Sequence, residues 1–214
     1  MVSMDASSYP AKTTPKSLRT RARILEAATR LFAEIGYHAA GNSVIADAAG
    51  LTRGAMLYHF ATREELVEAA IQHIELARAR LFEEAAAASA APGQDASEAA
   101  IDGYWALLHE TPFVAFAELE AAARTDPMLR ARLADAQAAF DRAQVGHRFG
   151  ALAQAGADPR FQTSRDLGRF LLEGLARGAM TYDEAARRRR LLTVVKRAVR
   201  MLNRKGDIQD LWPE

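Results

Sequence analysis

Residues 36–66 read GYHAAGNSVIADAAGLTRGAMLYHFATREEL, a stretch that predicts two short helices separated by a glycine turn. The first helix would run from Ser43 to Ala49. Its apolar face would be formed by Val44, Ile45, Ala48 and Ala49. Gly50 would supply the turn, because a positive φ strains any residue that has a Cβ. Thr52 would cap a second helix that continues through Tyr58. This order is typical of a helix-turn-helix, which places its second helix in the major groove of DNA.

Apolar residues recur at spacings of three and four along most of the remaining chain, without convincing period-two alternation, which predicts an all-α fold of about nine helices. A helix over 17–35 would end at Gly36, and Thr62 with Glu65 would form the capping box of a long connecting helix. On this helix, Leu66, Ala70, Ile74, Ala77 and Leu81 recur at helical spacing and would form the apolar stripe, flanked by Val67 and Ile71. The chain then divides into a disordered arm over 1–16, a helix-turn-helix domain over 17–62, a larger helical domain over 63–205 and a tail over 206–214.

Composition narrows the class of protein further. The 214 residues are half hydrophobic and include no Cys, which suits a reduced compartment such as the cytoplasm. No apolar run is long enough for a membrane span or a signal peptide. Residues 1–63 carry 8 basic and 4 acidic side chains, a balance that favours contact with phosphates. Lys12 and Lys16 of the arm could add to that contact, although a plain disordered terminus is the favoured interpretation.

With these motifs in place, the chain resembles the tetracycline-repressor (TetR) family of transcriptional regulators. RILEAATRLFAEIGY, starting at Arg23, is similar to the family's first helix. IADAAGLTRG, the Tyr58-His59-Phe60 sequence and REEL resemble its second, third and fourth helices. The resemblance implies a three-helix head joined by a long helix to a body that binds an effector and dimerises. It also implies a ligand-responsive regulator, a repressor rather than an activator, that binds a palindromic operator.

The resemblance and the side-chain chemistry together nominate residues for contact with duplex DNA. Arg53 is the candidate for reading a guanine edge, and Ala55 and Met56 offer apolar contact, with a core position as the alternative for Met56. Hydroxyl, amide, imidazole and guanidinium groups would contact phosphates, and Gly54 would let the backbone approach. The predicted DNA-binding residues are Asn42, Ser43, Thr52, Arg53, Gly54, Ala55, Tyr58, His59 and Arg63.

Some positions depart from the family pattern. Ala40-Gly41 replaces the usual hydroxyl-bearing pair ahead of the second helix, so Asn42 or Ser43 is expected to take over capping. Leu57 stands where the family commonly has tyrosine, and it cannot donate a hydrogen bond to phosphate. At these positions, the family's usual contacts with the DNA backbone are therefore not expected to carry over directly to this chain.

The body of the chain is expected to hold the effector and the dimer interface. Its aromatic and histidine side chains predict a small apolar or aromatic effector, with a plain core role as the alternative for each residue. These candidates are Tyr104, Trp105, His109, Phe113, Phe116, Phe140, His147 and Phe170. Dimerisation is expected through the eighth helix, capped by Thr163 or Ser164, and the ninth. The predicted interface residues are Leu171, Gly174, Gly178, Val195 and Leu202, with the two glycines packing inside one subunit as the alternative.

Two other classes of protein are possible in principle. The sequence has no nucleophilic Cys, no Gly-rich phosphate loop and no His spacing suited to a metal, so we expect neither an enzyme nor a cofactor or metal site. The second alternative is a helical ligand- or partner-binding protein without sequence-specific DNA binding. Replacing Arg53 and Tyr58 would distinguish it from a regulator, because only a DNA-binding protein would lose affinity for a duplex.

Overall fold

The computed structural model of the protein describes residues 14–88, 96–146, 159–181 and 184–203. Within these ranges it has nine α-helices and no strand, which confirms the predicted fold class. The helices are α1 Pro15–Ile35, α2 Asn42–Ala48, α3 Arg53–His59, α4 Arg63–Ala88, α5 Ala96–Leu107, α6 Thr111–Ala123, α7 Pro127–Gly146, α8 Pro159–Ala179 and α9 Ala185–Asn203.

Local sequence signals explain most helix ends in the amino-terminal part. Gly36 and Gly50 have φ values of 80° and 64°, a conformation that residues with a Cβ rarely adopt. Thr14 caps α1 by accepting a hydrogen bond from the Ser17 amide at 3.2 Å. Because α1 starts at Pro15, the last two residues of the predicted arm are helical. Residues 1–13 of the arm and the predicted tail lie outside the described residues.

The second helix differs from its prediction in start and orientation. It begins at Asn42, with Gly41 in the capping position and no side-chain cap, so capping by Asn42 or Ser43 was wrong. Ile45, Ala46 and Ala49 are buried, whereas Val44 and Ala48 of the predicted apolar face are exposed. A helix of two turns buries only a narrow strip against its neighbours, and this strip lies one position later in the sequence than the predicted apolar face.

The eighth helix also starts earlier than predicted. It begins at Pro159, which suits a first helical position because proline has no N–H to satisfy. Thr163 and Ser164 therefore lie within the helix rather than at its cap. Ser164 is buried there.

The main hydrophobic core runs without a break from the helix-turn-helix into the body. Phe32 of α1, Met56 of α3 and Phe60 belong to the same buried cluster as Leu119 of α6 and Leu133 of α7. Among the described helices, α1 and α6 share the most extensive contact. The predicted boundary at residue 62 therefore separates two parts with different expected roles, but the hydrophobic core continues across it.

Two smaller clusters lie further along the body. One contains Phe82, Leu107, Phe113 and Phe140. The other joins Ile101 of α5 and Leu172 of α8 to Val195 and Val199 of α9. In the part of the chain that the structure describes, no helix is both long and apolar enough to cross a membrane, and no three His, Asp or Glu side chains converge as metal ligands would.

Candidate functional site

The third helix, α3, is anchored on one side and open on the other. Met56 is fully buried, and Phe60, directly after the helix, is buried with it. On the opposite side Arg53, Gly54 and Ala55 are exposed. Tyr58, with 75% of its surface exposed, is the most open large side chain of the helix. Met56 is therefore a core residue, and the outer face of α3 is free to approach a partner.

The start of α3 is fixed by its predicted cap. The Thr52 hydroxyl oxygen accepts a hydrogen bond from the Ala55 amide at 3.1 Å, which confirms the capping role. Because a hydroxyl can accept and donate at once, Thr52 keeps its proton for a further acceptor. The long helix α4 starts similarly, with the Glu65 amide donating to the Thr62 hydroxyl at 3.1 Å. The Glu65 carboxylate accepts from the Ala61 amide at 2.9 Å, one residue earlier than a standard capping box would require.

Sequence reasoning missed the residue that holds the other end of α3. Arg21 of α1 donates through Nη1 to the carbonyl oxygen of His59, the last residue of α3. Its guanidinium also lies 4.1 Å from the centre of the Phe60 ring. A cation is favourable at a helix carboxyl terminus, where unsatisfied carbonyls carry partial negative charge. Arg21 thus positions the helix that presents Arg53 and Tyr58.

Arg63 has a different role from the one predicted. Its Nη1 donates to the Ala40 carbonyl at 2.8 Å and approaches Asn42 Oδ1 at 3.4 Å, and its Nη2 donates to the Tyr37 carbonyl at 3.2 Å. The guanidinium also lies 5.1 Å from the centre of the Tyr37 ring. Arg63 therefore ties the start of α4 to the loop before α2, and most of its donors are unavailable to phosphate. Asn42 is half-buried in the same arrangement.

The remaining predicted DNA contacts, Ser43 and His59, are both at least partly open to solvent. Ser43 is exposed in the first turn of α2, and His59 is half-buried with its ring edge-on to Tyr58 at 5.4 Å. Leu57, which departs from the family pattern, is exposed beside them. Contact of these residues with DNA stays a prediction.

The predicted effector residues separate into two groups. Tyr104, Phe113 and Phe140 pack together at the second cluster, with ring centres 6.2 Å apart for Tyr104–Phe113 and 6.0 Å for Phe113–Phe140. Phe116 is buried in the main core beside them. The guanidinium of Arg78 lies against the three phenylalanine rings.

The other predicted effector residues lie elsewhere. Phe170 projects from α8 with 59% of its surface exposed, so it cannot line an interior pocket of the same subunit. His109 is exposed, and its Nδ1 lies 2.9 Å from the Trp105 carbonyl oxygen. Trp105 itself packs on the third cluster. His147 lies outside the described residues.

Arg78 is the main residue of this region that sequence reasoning missed. It is 3% exposed and occupies a core position of α4, between Ile74 and Phe82. The buried residues of α4 lie at positions 66, 67, 70, 71, 74, 78 and 82, so the predicted stripe is correct as far as Ile74 and departs at Ala77 and Leu81, which are half-buried. An arginine at the register of an apolar stripe is the signal that could have identified it.

The predicted dimer residues are only partly on one surface. Leu171, Gly174 and Gly178 of α8 are exposed. A Cβ built on either glycine would meet no atom within 4 Å, so they do not pack inside the described part of the subunit. Val195 is buried against the third cluster and cannot face a partner, whereas Leu202 is half-buried. Beside the glycines the surface carries further exposed apolar side chains: Leu167, Phe170, Leu191, Val194 and Met201.

Comparison with known proteins agrees with this arrangement of head and body. Residues 24–70 match the profile of a family described as "Bacterial regulatory proteins, tetR family". The HTH-type transcriptional regulator TtgR of Pseudomonas putida is 41% identical over 73 residues, which cover 32% of this chain and 35% of TtgR. The chain thus matches only about a third of that relative's length.

Solved structures extend the similarity over most of the chain. A TetR-family member from Streptomyces coelicolor A3 is 27% identical, with a TM-score of 0.60 over 84% of this chain and 97% of that one. EbrR, described as a multidrug binding protein and solved with proflavin, is 26% identical, with a TM-score of 0.56 over 84% and 99% of the two chains. The matched family consists of regulatory proteins, which agrees with the expectation that this chain is not an enzyme. Residues 24–70 thus carry the sequence pattern of the tetR family of bacterial regulatory proteins, and most of the chain has the fold of a solved member of that family.

Proposed function

We propose that this protein is a transcriptional regulator that binds a palindromic DNA operator as a homodimer in the cytoplasm. It acts as a repressor and is released from the operator by a small effector held in its helical body. The observation that carries this proposal is the outer face of α3, where polar and small side chains are exposed on a helix anchored by Met56 and Phe60.

The exposed face of α3 has the chemistry needed to read a major groove. Arg53 can donate two hydrogen bonds to O6 and N7 of a guanine, and Ala55 can contact a thymine methyl group. Gly54 adds no side chain between the backbone and the duplex. Tyr58 can donate to a phosphate oxygen from its exposed position, and Thr52 can do so while it caps the helix.

We propose Ser43 and His59 as further phosphate contacts. Ser43 is exposed at the start of α2, and His59 follows Tyr58 at the end of α3. We leave Arg63 out of the phosphate-binding set, because its guanidinium is engaged with the Tyr37 and Ala40 carbonyls. Its proposed role is to hold the head in the shape that presents α3.

A homodimer explains the exposed apolar surface of α8 and α9. Among the described residues of these two helices, six large apolar side chains are open on this surface, more than a monomer usually leaves together. Gly174 and Gly178 lie one turn apart on α8, and nothing in the described part of the same subunit fills the space above them. A second copy of α8 could therefore approach closely. A two-fold dimer would present two copies of α3 to the two halves of a palindrome.

The proposed effector site is the aromatic cluster around Phe113 and Phe140, bounded by α4, α5, α6 and α7. The similar protein EbrR was solved with proflavin, an aromatic molecule, which supports an aromatic or apolar effector for this chain. Helices α4 and α6 line this cluster and also pack against α1 in the head. An effector that prefers one arrangement of these helices would shift the position of α3, as differential affinity requires.

Selection of bound sequences from random duplexes tests the proposal. We expect a palindromic consensus for the wild-type protein. The double variant Arg53→Ala, Tyr58→Ala should lose about 2–4 kcal/mol of specific binding at fixed salt, and its dimer should persist. Arg124→Ala is the matched control, because it removes an exposed cation at the end of α6. A wild-type protein with no preference for any duplex would instead support a helical ligand- or partner-binding protein.

A further inference from the structure

Arg78 is a buried cation whose hydrogen-bonding capacity is mostly unused. Its guanidinium lies 3.8, 4.2 and 5.1 Å from the ring centres of Phe116, Phe140 and Phe113. Nη2 donates to Gln137 Oε1 at 3.1 Å, whereas Nε and Nη1 have no partner among the described residues. Buried N–H groups without an acceptor are costly, and more so when the group is charged. The buried Arg78 guanidinium would therefore be stabilised by an additional hydrogen-bond acceptor.

The same layer of the body contains a second arginine with an unpaired donor. Arg169 of α8 forms an ion pair through Nη1 with Asp141 at 2.7 Å. Its Nε lies 3.7 Å from Glu173 Oε1, within ion-pair distance, but makes no hydrogen bond within the described ranges. Asp141 also accepts from Gln137 at 2.8 Å. Arg78, Gln137, Asp141 and Arg169 thus form one connected polar network between α4, α7 and α8.

The acceptors of this network are, in contrast, already engaged. Asp141 receives bonds from Gln137 and Arg169, and Glu173 receives one from the Tyr104 hydroxyl at 2.9 Å. Nearby, Glu120 accepts from Arg177 at 3.2 Å. Every buried side-chain atom without a partner in the described part of this layer is a donor. The missing partner is therefore an acceptor and not a second cation.

Burial and charge around Arg78 agree with this conclusion. Burial lowers the pKa of the Arg78 guanidinium, and the carboxylates of Glu120, Glu173 and Asp141 oppose that shift. An arginine remains protonated at neutral pH even so. A cationic ligand would bring like charge beside Arg78, whose guanidinium already lies against three aromatic rings. An anionic ligand would instead gain a direct partner.

We propose that the layer between α4, α7 and α8 binds a small carboxylate that carries an aromatic or apolar body. The carboxylate would accept hydrogen bonds from Arg78 Nε and Nη1 and from Arg169 Nε. The apolar body would lie against Phe113, Phe140 and Phe82. This inference rests on the proposed function and narrows its effector from an apolar or aromatic molecule to an acid of that kind.

The seam beside α8 is suited to the entry of such a ligand. Arg169, Glu173 and Arg177 follow one another at single-turn spacing on the face of α8 that meets α5, α6 and α7, and their contacts across this seam are hydrogen bonds and ion pairs. Leu172, next to Glu173 in the sequence, provides the buried apolar contact of α8 with α5 and α9. Polar contacts can be exchanged for water or for a ligand carboxylate without uncovering the apolar core.

Ligand binding with matched pairs of probes tests this proposal. Benzoates, phenylacetates and medium-chain alkanoates, each paired with its primary amide, would be titrated into the full-length protein by calorimetry and thermal shift. At least one acid should bind, and its amide should bind more than about tenfold more weakly, because the amide lacks the charge that pairs with arginine. An acid and amide of equal affinity, or no acid that binds, would overturn the proposal.

Two variants of α4 separate the site from general effects on the helix. Arg78→Met should weaken the acid roughly ten- to a hundredfold, since charged hydrogen bonds are lost, and should still fold because an apolar residue of similar length fills a buried position well. Arg80→Met, two residues further along the same helix and exposed, should bind as the wild type does. Arg78→Met with unchanged acid affinity would place the acid elsewhere and refute the assignment.

Binding to the selected duplex is measured in the same samples without probes. A protein that binds its duplex but shows no preference for acids would leave the regulatory function intact and remove this inference. A protein that binds acids through Arg78 but prefers no duplex would support this inference and refute the proposed regulatory function. If both hold, addition of the acid should change the Kd for the duplex, and Arg78→Met should reduce that change.

Discussion

Replacing Arg21 with alanine is expected to loosen the carboxyl end of α3 without removing any side chain proposed to contact DNA. The Arg21 guanidinium donates to the His59 carbonyl and stacks on Phe60, so it acts at the negative end of the α3 dipole. Helix α3 has only seven residues, too few to be stable without such contacts. The loss of one anchoring group should therefore be measurable.

The structure sets the size of the expected effect. A cation at a helix carboxyl terminus contributes about 0.3–1 kcal/mol when exposed and up to about 2 kcal/mol when partly buried. A cation–π contact adds about 0.5–1 kcal/mol at a site of this kind. Arg21 is partly buried and both contacts share one guanidinium, so we expect a loss of about 1–2 kcal/mol rather than the full sum. In a protein of this length, that corresponds to a fall in Tm of roughly 2–8 °C.

The assay compares Arg21→Ala with Arg19→Ala in urea unfolding, thermal melting and operator binding. Arg19 is exposed on the same helix, so its variant removes the same charge without the anchoring contacts. Arg21→Ala should be the less stable of the two and should lose more of its specific binding than of its non-specific binding. If both variants unfold and bind alike, Arg21 contributes only its charge, and the positioning role is refuted.

Three further predictions concern other parts of the molecule. Phe170→Asp should convert the dimer to monomers in sedimentation experiments, whereas Leu76→Asp, at a similarly exposed apolar residue of α4, should leave the dimer intact. Arg63→Ala should reduce the free energy of unfolding in urea by about 1–3 kcal/mol, because its carbonyl partners lose their donor. The salt dependence of DNA binding should not change. Unaltered stability together with a shallower salt dependence would show instead that Arg63 contacts phosphate. The pKa of His73 is lowered by burial and by Arg80 against the opposing effect of Glu26, so stability should fall as the pH drops below about 6.5, and the fall should be smaller in His73→Gln.

The helix-turn-helix could be predicted closely because its signals are local. Gly36 and Gly50 adopt positive φ, and Thr52 and Thr62 cap helices within three residues of their own position. Each of these effects depends on a few neighbouring residues, so the sequence pattern contains all the necessary information. The start of α8 could not be predicted in this way, because a proline at Pro159 and a hydroxyl at Thr163 are both acceptable helix starts by local rules.

The arginines that organise the head and the body depend on contacts that are distant in sequence. Arg21 meets His59 across 38 positions, and Arg78 meets Gln137 across 59 positions. An arginine reads as a surface residue unless its distant partners are known, because burial without partners is unfavourable. Arg63 was predicted to contact phosphate for the same reason: its acceptors, the carbonyls of Tyr37 and Ala40, are distant in sequence and could not be recognised.

The unbroken core beneath α1 and α6 has a consequence for how such a chain can be divided and recombined. A fragment that ended at residue 62 would leave the inner surface of α1, including Phe32, open to water where α4 and α6 now cover it. Gly36, at the end of α1, lies so near α6 that a Cβ there would be 3.4 Å from a Glu118 carboxylate oxygen. If the helix-turn-helix head of a related protein replaced the head of this chain, its α1 would have to fit the α6 surface of this chain. The DNA-binding surface proposed for α3 could thus be transferred to another protein only together with part of the body of this chain.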